Sequence, residues 1–232
     1  MVALAATVAL AGCETSQPAP SSTTTITITV TTSTTALTTT TLGEEALREV
    51  DLAAALLTLE DLPEGSQVSV ENVDYLASGI PRIILCGEDV RRELDALTGR
   101  FSQFYGPEGV FLWVSPAVSS LPGDNAHLLL DRLEEVAQTC DRTWEGAGFE
   151  GADTEYEVLG TYDLPALGDQ RLAIEMAHRS ADYADATLHL VYIRRGQFIT
   201  AFLAILDEGS DEGMVLDLAE RADEKLAAAI DG

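Results

Sequence analysis

Three histidines, His127, His178 and His189, are the side chains here whose ordinary titration falls near neutrality, so they come first for acid–base work. His127 falls off the apolar stripe of a helical segment and reads as solvated, and His178 ends a strand-like stretch. His189 lies between Leu188 and Leu190. If those leucines face a core, the imidazole turns to the other side with Thr187 and Val191, where it can line a pocket. Catalysis needs a nucleophile, a base and an orienting group in convergence. The sequence holds no Gly-x-Ser-x-Gly elbow, no His-Glu-x-x-His pair and no phosphate-cradling glycine loop. No catalytic residue and no cofactor is assigned, and the chain reads as non-enzymatic. The acidic run from Asp207 to Gly213 lacks the alternating ligands and closing glutamate of an EF-hand. It reads as a linker whose carboxylates favour the start of a following helix, and no metal site is expected. Core packing is expected to take most aromatic side chains. A cleft between a sheet and a helix would offer Phe101, Tyr105 or Trp113 to a small apolar ligand, and with His189 these are the candidate ligand contacts.

A different chemistry belongs to Cys13. Residues 2–11 are apolar or small apart from Thr7, and the run closes in Leu10-Ala11-Gly12-Cys13. Export needs an apolar stretch followed by small residues where the peptidase cuts. The tetrapeptide resembles the lipobox of bacterial lipoproteins. That resemblance implies removal of residues 1–12, lipidation of Cys13 through a diacylglycerol thioether with palmitate-type chains, and an anchor on the outer face of the cytoplasmic membrane. The apolar stretch is shorter than the roughly 20 residues of a membrane span. No basic residue precedes Cys13, so the natural start is expected upstream. Residues 13–42 then run through Ser, Thr, Pro and Ala, with repeats such as Thr38-Thr39-Thr40-Thr41. A segment of that composition buries too little apolar area to offset the entropy of ordering, and reads as a disordered tether. Fully extended it reaches about 95 Å.

Residues 43–232 remain, a length suited to one domain with its own core. The formal charge is −26, from 39 acidic against 13 basic residues. That sign argues against nucleic acid, whose binding rests on Lys and Arg at phosphates, and against a domain lying on anionic lipid. The membrane is therefore met through the lipid anchor only. With Cys13 lipidated, Cys86 and Cys140 are the cysteines left to the domain, and in an exported protein they most simply form one disulfide. Two buried thiols or a metal pair are the alternatives, the second weakened because no histidine sits at ligand spacing from either cysteine.

Positioning these side chains falls to a mixed set of elements. Leu47, Val50, Ala54 and Leu57 predict a helix over 44–58, closed by the turn residues Asp61 to Gly65. Val68, Val70 and Val73 suggest a strand. Residues 80–86 and 88–97 leave strand, short helix and loop open. Residues 101–105 and 110–114 flank Gly106-Pro107-Glu108-Gly109 and predict an antiparallel hairpin. Residues 123–140 predict the clearest helix, with Cys140 on its buried stripe, so the partner cysteine is expected from the sheet beneath. Strands follow at 156–159, around 172–176, at 186–193 and at 198–206, the last two joined by Arg194 to Gln197. A final helix carries the stripe Val215, Leu218, Ala219, Ala222, Leu226, Ala229 and Ile230. The fold class is α+β, an antiparallel sheet covered by helices.

The order of several pieces resembles one family. Leu56-Leu57 leads into Asp61-Leu62-Pro63-Glu64-Gly65, a cysteine follows, and a helix ends in Cys140. Leu164-Pro165-Ala166-Leu167-Gly168-Asp169 then precedes a hairpin with Arg194-Arg195-Gly196. Together, over most of residues 50–230, these are similar to the extracellular sensor domain of PknH-like actinobacterial kinases, which also occurs in stand-alone lipoproteins. The resemblance implies an antiparallel α+β domain with a ligand-binding cleft. The chain departs from the pattern by carrying no kinase and a single cysteine pair where the kinase domains have two, so ligand specificity does not carry over. The expectation is a membrane-anchored, extracytoplasmic binding or sensing module that takes a small envelope ligand. The alternative is an envelope scaffold or assembly lipoprotein that binds a protein partner.

Overall fold

The computed structural model describes residues 41–74, 84–90, 94, 96–107, 112–140, 143–147, 153–180, 186–206 and 212–232. Cys13, the Thr-rich segment, Phe111 and most of the acidic run at 207–211 lie outside them. From the N-terminus the elements are α1 (Glu44–Glu49), β1 (Gln67–Asp74), β2 (Ile84–Leu85), β3 (Glu88–Asp89), β4 (Thr98–Tyr105), β5 (Leu112–Ser120) and α2 (Asn125–Thr139). Then follow β6 (Trp144–Ala147), β7 (Asp153–Tyr162), β8 (Gln170–Ser180), β9 (Ala186–Arg195), β10 (Phe198–Leu206) and α3 (Glu212–Asp231). Eight strands form one antiparallel sheet in the order β1-β4-β5-β10-β9-β8-β7-β6, and β2 and β3 form a separate small hairpin. This is a single α+β domain.

Strict alternation sorts the strand residues between two faces. On one face Leu172, Ile174 and Met176 of β8, with Leu188 and Tyr192 of β9, bury against Leu129, Leu130 and Leu133 of α2. On the other, Val191, Ile193, Phe202 and Ala204 bury against Val215, Leu218, Ala219 and Ala222 of α3. Residues 47–62 complete that second layer over β4 and β5: Leu57 and Leu62 meet Phe104 and Val114. Leu47, Leu52 and Leu56 share a cluster with Val118, Phe198 and Leu226. The apolar stripes of α2 and α3 each face the sheet, as amphipathic helices must, and they do so from opposite sides.

The first helix is shorter than its apolar spacing predicts, ending at Glu49 rather than near residue 58. Val50 is extended, and the Asp51 carboxylate accepts hydrogen bonds from the N–H groups of Ala53 and Ala54 at 3.0 and 3.4 Å. An aspartate that binds backbone two and three residues ahead offers the chain a turn in place of a helix. Leu52, Ala55 and Leu56 remain buried all the same.

Cys86 and Cys140 are joined by a disulfide, with Cα atoms 5.8 Å apart. Cys86 does not come from the sheet beneath α2, contrary to the expectation from the helix stripe. It sits in the two-residue turn of the β2–β3 hairpin, where Cys86 and Gly87 adopt φ values of +55° and +76°. Consecutive left-handed residues fit a tight hairpin turn. Leu85 and Val90 pack in the α2 cluster, so the hairpin lies on the helix and the disulfide ties it to the helix end.

Two of the sequence pieces that carry the family resemblance serve as clamps. Asp61 accepts from Thr58 N at 2.7 Å and pairs with Lys225 Nζ of α3 at 2.6 Å. Burial pushes the Asp61 carboxyl up, but hydrogen bonds from Lys225 and Thr58 outweigh it, and the net displacement is downward. Asp223, buried on α3, takes Arg195 in a two-pronged pair at 2.6 and 2.7 Å, and also accepts from Gly168 N at 3.3 Å. Asp169 returns the tie: its N–H donates to the Arg194 carbonyl at 2.7 Å, and its carboxylate accepts from Gly196 N at 2.6 Å. The 164–169 loop, the β9–β10 turn and α3 are thereby locked together.

Candidate functional site

Neither helix spans the sheet. α2 makes its main strand contacts with β7, β8 and β9. The same face continues through β10, β5 and β4, where Ile199 and Ile205 of β10 still bury in the α2 cluster and Trp113 of β5 packs against it. The middle of these, β5, alternates large residues inward, Leu112, Val114 and Val118, with Trp113, Ser115, Ala117 and Ser119 on the α2 face. All four of the latter are half-buried. Serine and alanine in a row give a low floor, and taller side chains on the flanking strands give it walls.

The register places those walls. Trp113 stands directly between Tyr105 of β4 and Ile205 of β10. Ala117 stands between Phe101 and Ala201. Direct partners on an antiparallel pair project to the same face, with Cβ atoms about 4.5–5.5 Å apart. Phe101, Tyr105 and Trp113 therefore line one trough, with Leu203 on its far side and Trp113 packed partly against the α2 cluster. Tyr105, 53% exposed, forms the outer lip. An exposed tyrosine beside a half-buried tryptophan presents flat apolar surface with a hydroxyl at its rim, which suits a ligand with an apolar body.

A proline shapes the same trough. Gly106 N donates to the Leu112 carbonyl, so counting back by twos makes Ser102 and Pro116 a hydrogen-bonding pair in the β4–β5 ladder. Pro116 has no N–H to give. Ser115 Oγ donates to the Ser102 carbonyl instead, at 3.4 Å, while Ser102 Oγ accepts from Asn72 N at 2.9 Å. The Ser115 hydroxyl on the trough floor is thus turned toward backbone, which makes that part of the floor more apolar than its composition suggests.

His189 lies on the opposite face. Its direct partners are Ala204 and Glu175, and Tyr162 meets its ring edge-on at a centroid distance of 5.7 Å. It is buried, and the sheet separates it from the aromatic trough. The remaining histidines fall elsewhere. His127 is exposed on α2, with Nδ1 2.9 Å from Gln170 Oε1. His178 is buried within β8 under α2, edge-on to Tyr156, which in turn stacks on Trp144 at 5.6 Å. Burial in that cluster pushes the Tyr156 hydroxyl upward. Trp144 is therefore a packing residue.

The floor residues Ser115, Ala117 and Ser119 were not singled out in the sequence. Their signal is the alternation of small with large side chains through 112–120, which marks a strand with one fully buried face and one of small, half-buried residues.

No protein-family model matches the sequence, and no curated protein is similar to it at a significant level. Among solved structures, the extracellular domain of PknH from Mycobacterium tuberculosis superposes with a TM-score of 0.54 at 12% identity, over 82% of this chain and 99% of that one. A protein from Mycobacterium smegmatis described as the Rv0999 ortholog aligns with a TM-score of 0.38 at 13% identity, over 78% and 96% of the two chains. The second is too distant to bear on the fold. The first shows that the chain shares the fold of a PknH-like extracellular domain, in agreement with the resemblance drawn from the order of its sequence pieces.

Proposed function

We propose that this chain is a non-enzymatic, extracytoplasmic binding or sensing module, held at the outer face of the cytoplasmic membrane by a lipid on Cys13. Its ligand is a small envelope-derived molecule with an apolar body, seated in the trough between Phe101, Tyr105 and Trp113. The observation that carries this reading is the meeting of those three aromatic side chains on one sheet face, at the edge of the α2 cluster, with Tyr105 exposed. Two further facts support it. The shared fold is that of an extracellular domain. A disulfide between Cys86 and Cys140 suits an oxidising compartment.

In this role the protein does no bond chemistry. The aromatic walls supply area, since apolar surface removed from water contributes about 25 cal/mol per Å². Tyr105, exposed at the lip, adds a hydroxyl that can fix a polar end of the ligand. The tether holds this surface within reach of the membrane, where an envelope molecule is concentrated.

Native mass spectrometry of the full chain, purified from its own host's membranes, tests the reading. A small molecule should remain bound to the wild type and be lost from Trp113→Ala. Retention of a protein partner in its place, with no small molecule on either form, would replace the ligand-binding reading with the scaffold one.

A further inference from the structure

We propose that the polar half of the α3 face forms a second binding site, for a small organic cation bearing an ammonium group. α3 makes its main strand contacts with β9 and β10. Ala173 of β8 buries in the same cluster, and further along that face Glu175 and Ala177 of β8 and Glu157 of β7 are only half-buried. Four residues meet there. His189 of β9 is 6% exposed and forms the floor, with Tyr162 edge-on beside it. Glu175 of β8 is its direct cross-strand partner, and Gly160 of β7 is the partner of Glu175 on the other side.

The glycine leaves room. A Cβ added at Gly160 would meet no atom within 4 Å, so the space over Gly160, the ladder partner of Glu175, is open. The ladder is irregular between Val158 and Gly160, immediately beside that space. Bulges of this kind bend a strand and are common next to binding sites.

Charge decides what the recess takes. Glu175 is half-buried and makes no hydrogen bond or ion pair among the described residues. Across the same face Arg179 is already held by Glu157 at 2.7 Å and Glu155 at 3.5 Å. Arg195 is likewise held by Asp223 at 2.6 Å. An anion would meet the Glu175 carboxylate and find these two guanidinium groups engaged. A cation meets that carboxylate directly and can rest against the ring of Tyr162, whose π-face attracts positive charge. The net charge of −26 draws cations toward the whole domain, and a partly desolvated carboxylate beside aromatic rings gives one a place to stop.

The test uses the full, oxidised chain with its histidines labelled for imidazole NMR, titrated with choline and separately with 3,3-dimethylbutan-1-ol, its neutral isostere. Choline should shift the His189 resonances saturably and leave those of His127 and His178 in place. The neutral isostere should shift none of them. Glu175→Gln, which keeps size and removes charge, should weaken choline binding about tenfold, a loss of about 1.4 kcal/mol. Unchanged His127 and His178 resonances in that variant establish that it is folded. An equal response to the neutral alcohol, undiminished binding by Glu175→Gln, or no response of His189 to choline would each overturn the proposal.

Discussion

Gly168 in the 164–169 loop and Gly196 in the β9–β10 turn belong to the two sides of one clamp, both in the left-handed region, at φ +54° and +57°. Their surroundings differ. A Cβ on Gly168 would lie within 3 Å of both the Arg194 carbonyl oxygen and Ile193 Cγ2, whereas one on Gly196 would meet nothing within 4 Å. Gly196→Ala should therefore cost only the left-handed penalty, about 1–2 kcal/mol. Gly168→Ala adds a collision with backbone that cannot retreat without losing the Asp169 hydrogen bond to Arg194, and should cost clearly more. Urea unfolding midpoints of the two variants decide it, and equal midpoints would remove the clamp from the description of the fold. This clamp was visible in the sequence only as a run that resembled a family. Why the run matters could not be read there, because the partners, Asp223 and Arg195, are 28 residues apart.

At the scale of elements, periodicity was a sound guide wherever one stripe met one surface. α2 and α3 bury the side chains that their stripes select, and the β4–β5 and β9–β10 hairpins pair as their short links imply. The misreadings have local causes. Asp51 diverts the backbone after α1, and a helical spacing of leucines is equally served by turns that bury the same residues. β6 is only four residues long and was not legible as a strand at all. The partner of Cys140 was expected from the large sheet, because nothing in residues 84–89 announces that so short a hairpin packs on α2. That hairpin is held by the packing of Leu85 and Val90 on α2 and by the disulfide together. The cysteines are 54 residues apart, and closing a loop of that size restrains the unfolded chain by about 4 kcal/mol in the entropic description. Reduction should lower the thermal midpoint by several degrees or more, and Cys140→Ser should reproduce the loss without reductant. An unchanged midpoint after complete reduction, verified by thiol titration, would contradict a stabilising role.

Across the whole molecule the sheet carries a distinct group of side chains on each face, at the edge of the cluster that the helix on that face forms. One is apolar and aromatic, with Phe101, Tyr105 and Trp113; the other is polar, with Tyr162, Glu175 and His189. Residue types indicated both sets in part: the three aromatics and His189 were candidates from the start. Their division between two faces was legible only as far as strand alternation sets His189 apart from its leucine neighbours. Which strands a helix packs on depends on where its connections bring it down, and periodicity carries no information on that. The chain's two tryptophans happen to separate binding in the trough from other events, since Trp113 lines it and Trp144 is buried beside Tyr156. Single-tryptophan proteins made by Trp144→Phe and Trp113→Phe can be titrated with a lipid extract of the host envelope while emission is followed. Binding in the trough predicts a saturable blue shift from Trp113 and a constant signal from Trp144. A silent Trp113, or an equal change at both, would contradict it.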